Sequence, residues 1–312
     1  GIKHVGISNF LRFFLYHEKI VKTYVNDVEK HMFVEVDLND LVERDVFAFW
    51  MLTFKRLADK VENFGQILAE EKKLVSNLFL DSIQSRNFFL TVENLREALK
   101  ILVAVNILPS IFFVRFDRLR EAVSEEFLAN LEGLRTVCAE KLAYVFTSFR
   151  ALDDLAPAVF SRRALSVFSH VMYLKPAQVS DMKIIFETYE AKYNISPTPQ
   201  ALEKLIEICG GHVQYLQISL IIINQMIAKA RAINADGLLG QITRDERVYL
   251  VSEEIWDSLS DAEKSIVRKI VSGEEITEAD EELGMYLFET GLVTKGNGNL
   301  RLFSALFEDF VK

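Results

Sequence analysis

The sequence predicts an α/β protein: a parallel sheet with crossover helices, followed by an all-helical segment and a C-terminal unit of helices and a hairpin. Three observations carry that prediction. Short apolar runs alternate with helix-period stretches over the first 175 residues, as strands joined by crossover helices do. At the start of the chain a glycine-containing turn runs straight into an apolar helical stretch. From residue 176 strand-like runs give way to helical ones, until a glycine-rich tip near the end.

The elements follow in order. After the opening turn, residues 8–19 are predicted as a helix, with Phe10, Leu11, Phe13, Phe14 and Leu15 at helical spacing. His31 to Leu38 alternates as a strand. Val46 to Val61 is an amphipathic helix (Phe47, Trp50, Met51, Phe54, Leu57, Ala58). Residues 67–104 are helical with a break at Asn87 to Val92 and a new helix from Glu93. Ser110 to Phe116, bounded by Pro109 and Asp117, has the near-continuous apolarity of a strand buried on both faces. Glu125 to Glu140 is a helix. Leu142 to Ser148 is a second buried strand, and His170 to Leu174 is a last strand stopped by Lys175-Pro176. Val179 to Tyr193, Gln200 to Cys209 and Val213 to Ala232 are helices, with a turn at Gly210-Gly211-His212. Three helical stretches then lead to Leu292-Val293-Thr294 and Leu300-Arg301-Leu302-Phe303, which flank Lys295-Gly296-Asn297-Gly298-Asn299 as a hairpin. Helices followed by a two-stranded hairpin are the parts of a winged helix. The predicted domains are 1–175, 176–245 and 246–312.

Composition sets the outer limits. Half of the 312 residues are hydrophobic, enough for two or three domains, and Gly and Pro are too sparse for disorder. The longest apolar run, Tyr215 to Ala228, is broken by Gln217, Ser219, Asn224 and Gln225 and is too short to span a bilayer. No signal peptide opens the chain. Cys138 and Cys209 lie in helical patterns without metal spacing, as buried thiols of a reducing cytoplasm do, so the expected location is cytoplasmic, with no membrane partner. The net charge of −9 is placed unevenly. From Val251 onward there are 14 Asp/Glu against 6 Lys/Arg, a net of −8, whereas the first 250 residues carry 31 against 30.

The first residues carry the chemistry. Gly1, Gly6 and Ser8 fall on the phosphate-binding loop pattern G-x-x-x-x-G-K-[ST], with Ile7 where lysine belongs. The alternative is a glycine turn whose Ser8 caps a helix start. In order along the chain, the loop is followed by a strand ending Phe116-Asp117-Arg118-Leu119 and a helix with Asn130-Leu131-Glu132-Gly133-Leu134-Arg135. A strand ending Phe146-Thr147-Ser148-Phe149-Arg150 and a helical lid with Cys209-Gly210-Gly211-His212-Val213-Gln214 come next, then the winged helix. In this order the chain resembles the AAA-type and signal-transduction (STAND) P-loop ATPases, with degenerate motifs.

The resemblance implies a site at the carboxyl ends of the strands, with candidate nucleotide-contacting positions Gly1, Lys3, Gly6, Ile7, Ser8, Asn9, Arg115, Asp117 and Ser148. The family's magnesium-binding hydroxyl corresponds to Ser8, and the polar end of its neighbouring strand to Thr147 or Ser148. Its Asp-Glu pair, which supports magnesium and orients the attacking water, falls on Val114 and Arg115, with Asp117 the nearest acid. Its lid turn has proline where this chain has Val213. The family also places a strand directly before the loop, so residues preceding Gly1, or another segment, are expected to fill that place.

Phosphoryl transfer is mostly positioning and charge neutralisation. Loss of both the lysine and the acid pair, each worth several powers of ten in rate, leaves hydrolysis negligible. Backbone N–H groups can still hold a phosphate, so ATP or ADP binding is expected to be weakened and magnesium support doubtful. Lys3 and His4 could add charge, or point to solvent. Arg115 could face the site as a counter-charge to phosphate, or pair with an acid such as Asp117. Arg150, Arg162 and Arg163 could reach a neighbouring subunit, and His212 reads as a capping or packed residue. The acidic C-terminal segment opposes DNA binding, because Glu274, Glu275, Glu278, Asp280, Glu281 and Glu282 would repel phosphates. The expected function is a non-hydrolysing regulator or scaffold with protein partners or self-association. The alternatives are a working NTPase with non-standard residues and a DNA-binding regulator.

Overall fold

The computed structural model describes residues 1–160, 170–193, 197–228, 237–296 and 299–312. The chain divides into two compact units: Ser8–Val171, and Gly1–Ile7 together with Met172–Lys312. The first seven residues thus belong with the C-terminal half.

The unit Ser8–Val171 is built on three parallel strands, β1 (His31–Asp37), β2 (Leu108–Val114) and β3 (Ala143–Phe146), in the order β1-β2-β3. Helices α1 (Ile7–Tyr16) and α2 (Glu18–Tyr24) precede β1, splitting the single helix expected over 8–19. Between β1 and β2 come α3 (Val46–Glu62), α4 (Ala69–Ser85) and α5 (Phe88–Ala104). Asp45 caps α3 by accepting the Ala48 N–H at 2.7 Å, which starts the helix where its apolar face begins. The break between α4 and α5 is one tight corner. Arg86 takes a left-handed conformation, and Asn87 caps the next helix through the Leu90 N–H, so α5 begins at Phe88 rather than at Glu93. Buried Asn94 ties the pair together, donating to the Leu78 carbonyl and to Ser82 Oγ, both at 3.1 Å. Helix α6 (Glu125–Val137), capped by Ser124, returns the chain to β3, and α7 (Leu152–Leu155) follows it.

The sheet has two covered faces over β1 and β2. Met32, Val34, Val36, Ile111 and Phe113 enter the main core with Phe49, Trp50, Phe54, Leu95, Leu99, Phe127 and Leu131. On the other face Leu11, Phe14 and Leu15 of α1 lie against Phe33, Phe112 and Val114. That is why β2 reads as continuously apolar. The expectation of a second strand buried on both faces fails at β3. Its residues alternate exposed and half-buried, because Tyr144 and Phe146 pack on the main core while Ala143 and Val145 on the other face stay exposed. His170 to Leu174 is not a strand: Tyr173 and Leu174 pack into the C-terminal core, so the apolar run serves helix packing instead of a ladder.

The other unit is helical: α8 (Val179–Tyr193), α9 (Pro199–Cys209), α10 (Val213–Ala228), α11 (Leu238–Ile242), α12 (Glu246–Asp257), α13 (Asp261–Ser272), α14 (Glu278–Leu283) and α15 (Met285–Glu289). An antiparallel hairpin, β4 (Val293–Gly296) and β5 (Asn299–Leu302), precedes α16 (Ala305–Val311). Gly210 and Gly211 are required between α9 and α10. Both have positive φ, and a Cβ would lie 1.7 Å from the Phe303 carbonyl oxygen at Gly210 and 2.3 Å from that of Ala177 at Gly211. Two chain segments therefore cross against this turn, with Ala177 N–H donating to the Gly211 carbonyl at 2.9 Å. Cys138 and Cys209 are buried free thiols. No described helix is long and apolar enough to cross a membrane.

Candidate functional site

The glycine turn is anchored in the C-terminal unit. Ile2 and Val5 are fully buried there, and Ile7, which stands where the pattern has lysine, packs against the same core. The aliphatic side chain at position 7 therefore has a packing use. Gly6 sits at φ +112°, a conformation that favours glycine, with Val213 beside it. Two of the turn's carbonyls are held: Tyr286 Oη donates to Gly1 O at 3.2 Å, and His212 Nε2 to Lys3 O at 2.8 Å. His212 Nδ1 accepts the Tyr215 N–H at 3.3 Å, which fixes the proton on Nε2. The residue is thus both cap and packed group, and complete burial pulls its pKa down to about 4. His4, left-handed at φ 62°, pairs through Nε2 with Glu254 at 2.6 Å rather than pointing free into solvent.

The strand ends hold a different arrangement. In the β1–β2 register Asp37 lies opposite Val114, and Arg115 follows at the carboxyl end of β2. Val114 is buried. Arg115 adopts φ +60°, uncommon for a side chain of this size. Thr147 holds it there. Its Oγ1 accepts the Arg115 N–H at 3.0 Å, its carbonyl accepts the Phe116 N–H at 2.7 Å, and its own N–H donates to Phe113 O at 2.9 Å. The turn aims the guanidinium across to β1. Nε donates to Asp37 Oδ1 at 3.0 Å, Nη2 donates to Asp37 Oδ2, and Nη1 donates to Ser8 Oγ at 3.2 Å. Asp37 Oδ1 also accepts the Asn39 N–H at 2.9 Å.

The ion pair expected with Asp117 is thus made with Asp37. The reason is direction: the left-handed backbone at Arg115 turns its side chain toward the end of β1. Asp37 was not legible as a site residue, because one Asp at a strand end has no distinguishing pattern. Partial burial, and next the charge of Arg118, pull the Arg115 pKa below its ordinary value. The group stays protonated, as arginine does.

The remaining candidates lie elsewhere. Asn9 is exposed on α1, beside a shallow groove lined also by Arg12, Phe13, Tyr16 and His17. The Ser148 hydroxyl donates to the carbonyl of Arg150. Arg162 and Arg163 fall outside the described residues.

A magnesium ion does not fit the strand-end residues. Ser8 Oγ already accepts a guanidinium hydrogen, and Asp37 is neutralised by the same group. Among the described residues, no three His, Cys, Asp or Glu side chains are grouped to hold a metal.

Comparison with known proteins places the fold. No protein-family model and no curated protein matches the sequence. Among solved structures, the Walker-type ATPase PABY2304 of Pyrococcus abyssi is similar over 100% of this chain and 89% of its own, at 16% identity and a TM-score of 0.56. The ADP form of the ORC2 protein of Aeropyrum pernix is similar over 100% of this chain and 85% of its own, at 11% identity and a TM-score of 0.55. A second structure of that protein, with ADPNP–ADP complexes, is 13% identical over 99% and 85%, with a TM-score of 0.55. The chain shares the fold of these ATPase structures: mixed α/β, with a parallel sheet and many helices.

Proposed function

We propose that this chain is a catalytically degenerate member of the AAA/STAND kind, a non-hydrolysing regulator or scaffold with at most residual nucleotide binding. The observation that carries the reading is Arg115. It stands at the second position of the acid pair, and it occupies the Asp37 carboxylate and the Ser8 hydroxyl, the groups that would otherwise be open to a metal. Without a lysine at position 7 and an acid at position 114, the strand-end cluster lacks the phosphate-loop lysine for the β/γ-phosphates and the acid that orients an attacking water. Two of the similar structures are an ADP form and ADPNP–ADP complexes, which supports a phosphate-bearing ligand for this chain.

In this reading residues 176–245 form a lid, and 246–312 a winged helix used for protein contacts. The net −8 of the last 62 residues favours that use over DNA, and Glu274, Glu275, Glu278, Glu281 and Glu282 are exposed on the segment that would face a duplex. The test is steady-state turnover of magnesium–ATP by the full chain beside Ser8→Ala. Equal background rates support the reading, whereas turnover that disappears in the variant refutes it.

A further inference from the structure

The misfit of a divalent metal at the strand ends extends the reading just given and rests on it. Arginine offers five N–H donors. Asp37 takes two of those of Arg115 and Ser8 a third, which leaves one hydrogen on each Nη atom of a side chain one-third exposed. Each of these N–H groups can donate a charge-assisted hydrogen bond to an oxyanion. Ser8 Oγ is the acceptor toward Arg115, so its own O–H remains available to donate. Ser8 also lies in the first turn of α1, a ten-residue helix whose leading N–H groups have no intrahelical acceptor.

Two more arginines, Arg12 and Arg118, lie near enough to act on the Arg115 charge. Both are exposed and have no ion-pair partner among the described residues. The carboxylates facing the same guanidinium are Asp37, Glu35 and Asp117. Asp37 is held by Arg115 itself, and Glu35 accepts the Tyr16 hydroxyl at 2.7 Å.

We propose that Arg115 is the resident cation of this site: with Ser8 it binds a phosphate oxyanion of a nucleotide without a divalent metal, and in place of one. Arg12 and Arg118 supply the surrounding positive field.

The test is isothermal titration of the full chain with ADP, in magnesium and in EDTA, with inorganic pyrophosphate as a second ligand. Dissociation constants for ADP should agree between the two buffers within about twofold, and Arg115→Met should weaken binding about tenfold or more. Arg118→Gln, an exposed change that leaves the ion pair alone, should weaken it about two- to fivefold and flatten its salt dependence. Binding of pyrophosphate as well as ADP assigns recognition to the phosphates. Binding of ADP alone adds a nucleoside contribution to the same metal-free site. ADP binding that requires magnesium overturns the proposal, as does no binding of either ligand. In the latter case a parallel absence of turnover leaves the non-hydrolysing reading standing. Magnesium-dependent turnover overturns both.

Discussion

If Arg115 is spent on Asp37, the two residues must be energetically coupled, and a double-mutant cycle measures that coupling. Asp37→Asn keeps an oxygen for the Asn39 N–H while removing the charge, and Arg115→Met keeps the apolar stem. The magnitude follows from exposure. The side chains are 33% and 26% exposed, between a surface pair worth about 0–1 kcal/mol and a buried one whose rupture costs about 3–5 kcal/mol. The bidentate geometry raises the estimate within that range. Each single change should cost about 1.5–2.5 kcal/mol, and the double variant about 1–1.5 kcal/mol less than their sum. At about 2–4 °C per kcal/mol for a unit of this size, each single variant melts about 3–10 °C lower. Urea denaturation of the four proteins, read at one common transition, supplies the cycle. Additive single costs, with coupling below about 0.3 kcal/mol, would mean that the pair contributes nothing, and the role of Asp37 in holding the Arg115 guanidinium would fail.

Other consequences lie in the helical unit. His212 is held neutral when folded, with its pKa pulled down to about 4 by burial, against 6.5 unfolded. The unfolded chain therefore binds the extra proton between those values, and stability falls as pH drops from 6.5 to 4 by at most about 3 kcal/mol from this group. His212→Gln, which keeps a donor for the Lys3 carbonyl and does not titrate, should remove that part of the slope. Identical pH profiles for the two proteins would contradict the assignment. Gly211→Ala should cost about 3 kcal/mol or more, because its Cβ would press on the Ala177 backbone at positive φ. Gly65→Ala, with nothing within 4 Å, is its neutral control in the same melts. Ser304→Ala should cost about 1–2 kcal/mol, since the buried hydroxyl donates to Ile208 O at 2.7 Å and caps α16 through the Leu306 N–H. A melt unchanged from the parent protein would rule out that role.

Much of the fold was legible because its signals are local. The alternation over β1, the continuous apolarity of β2, the Asp45 cap and the glycine tip of the β4–β5 hairpin each follow from a few adjacent residues. The misses depend on distant partners. His170 to Leu174 has the composition of a buried strand, but its side chains are taken by the helical core. Leu142 to Ser148 has the apolarity of an inner strand, but it borders the sheet among the described residues. Ser8 and Arg115 were both named from sequence, and the structure brings their side chains together. Sequence did not locate Asp37, 78 positions from Arg115 along the chain, because the left-handed turn that joins them is invisible in residue order.

Cleavage of the γ-phosphate bond is the step that this strand end is proposed to have lost, and a single-turnover experiment reaches it most directly. The full chain in excess over γ-labelled ATP, with magnesium, should release phosphate no faster than protein-free buffer, whether or not nucleotide binds. Release above that background, abolished by Ser8→Ala and by EDTA, would show that the strand ends still run the reaction that Arg115 is argued to have displaced.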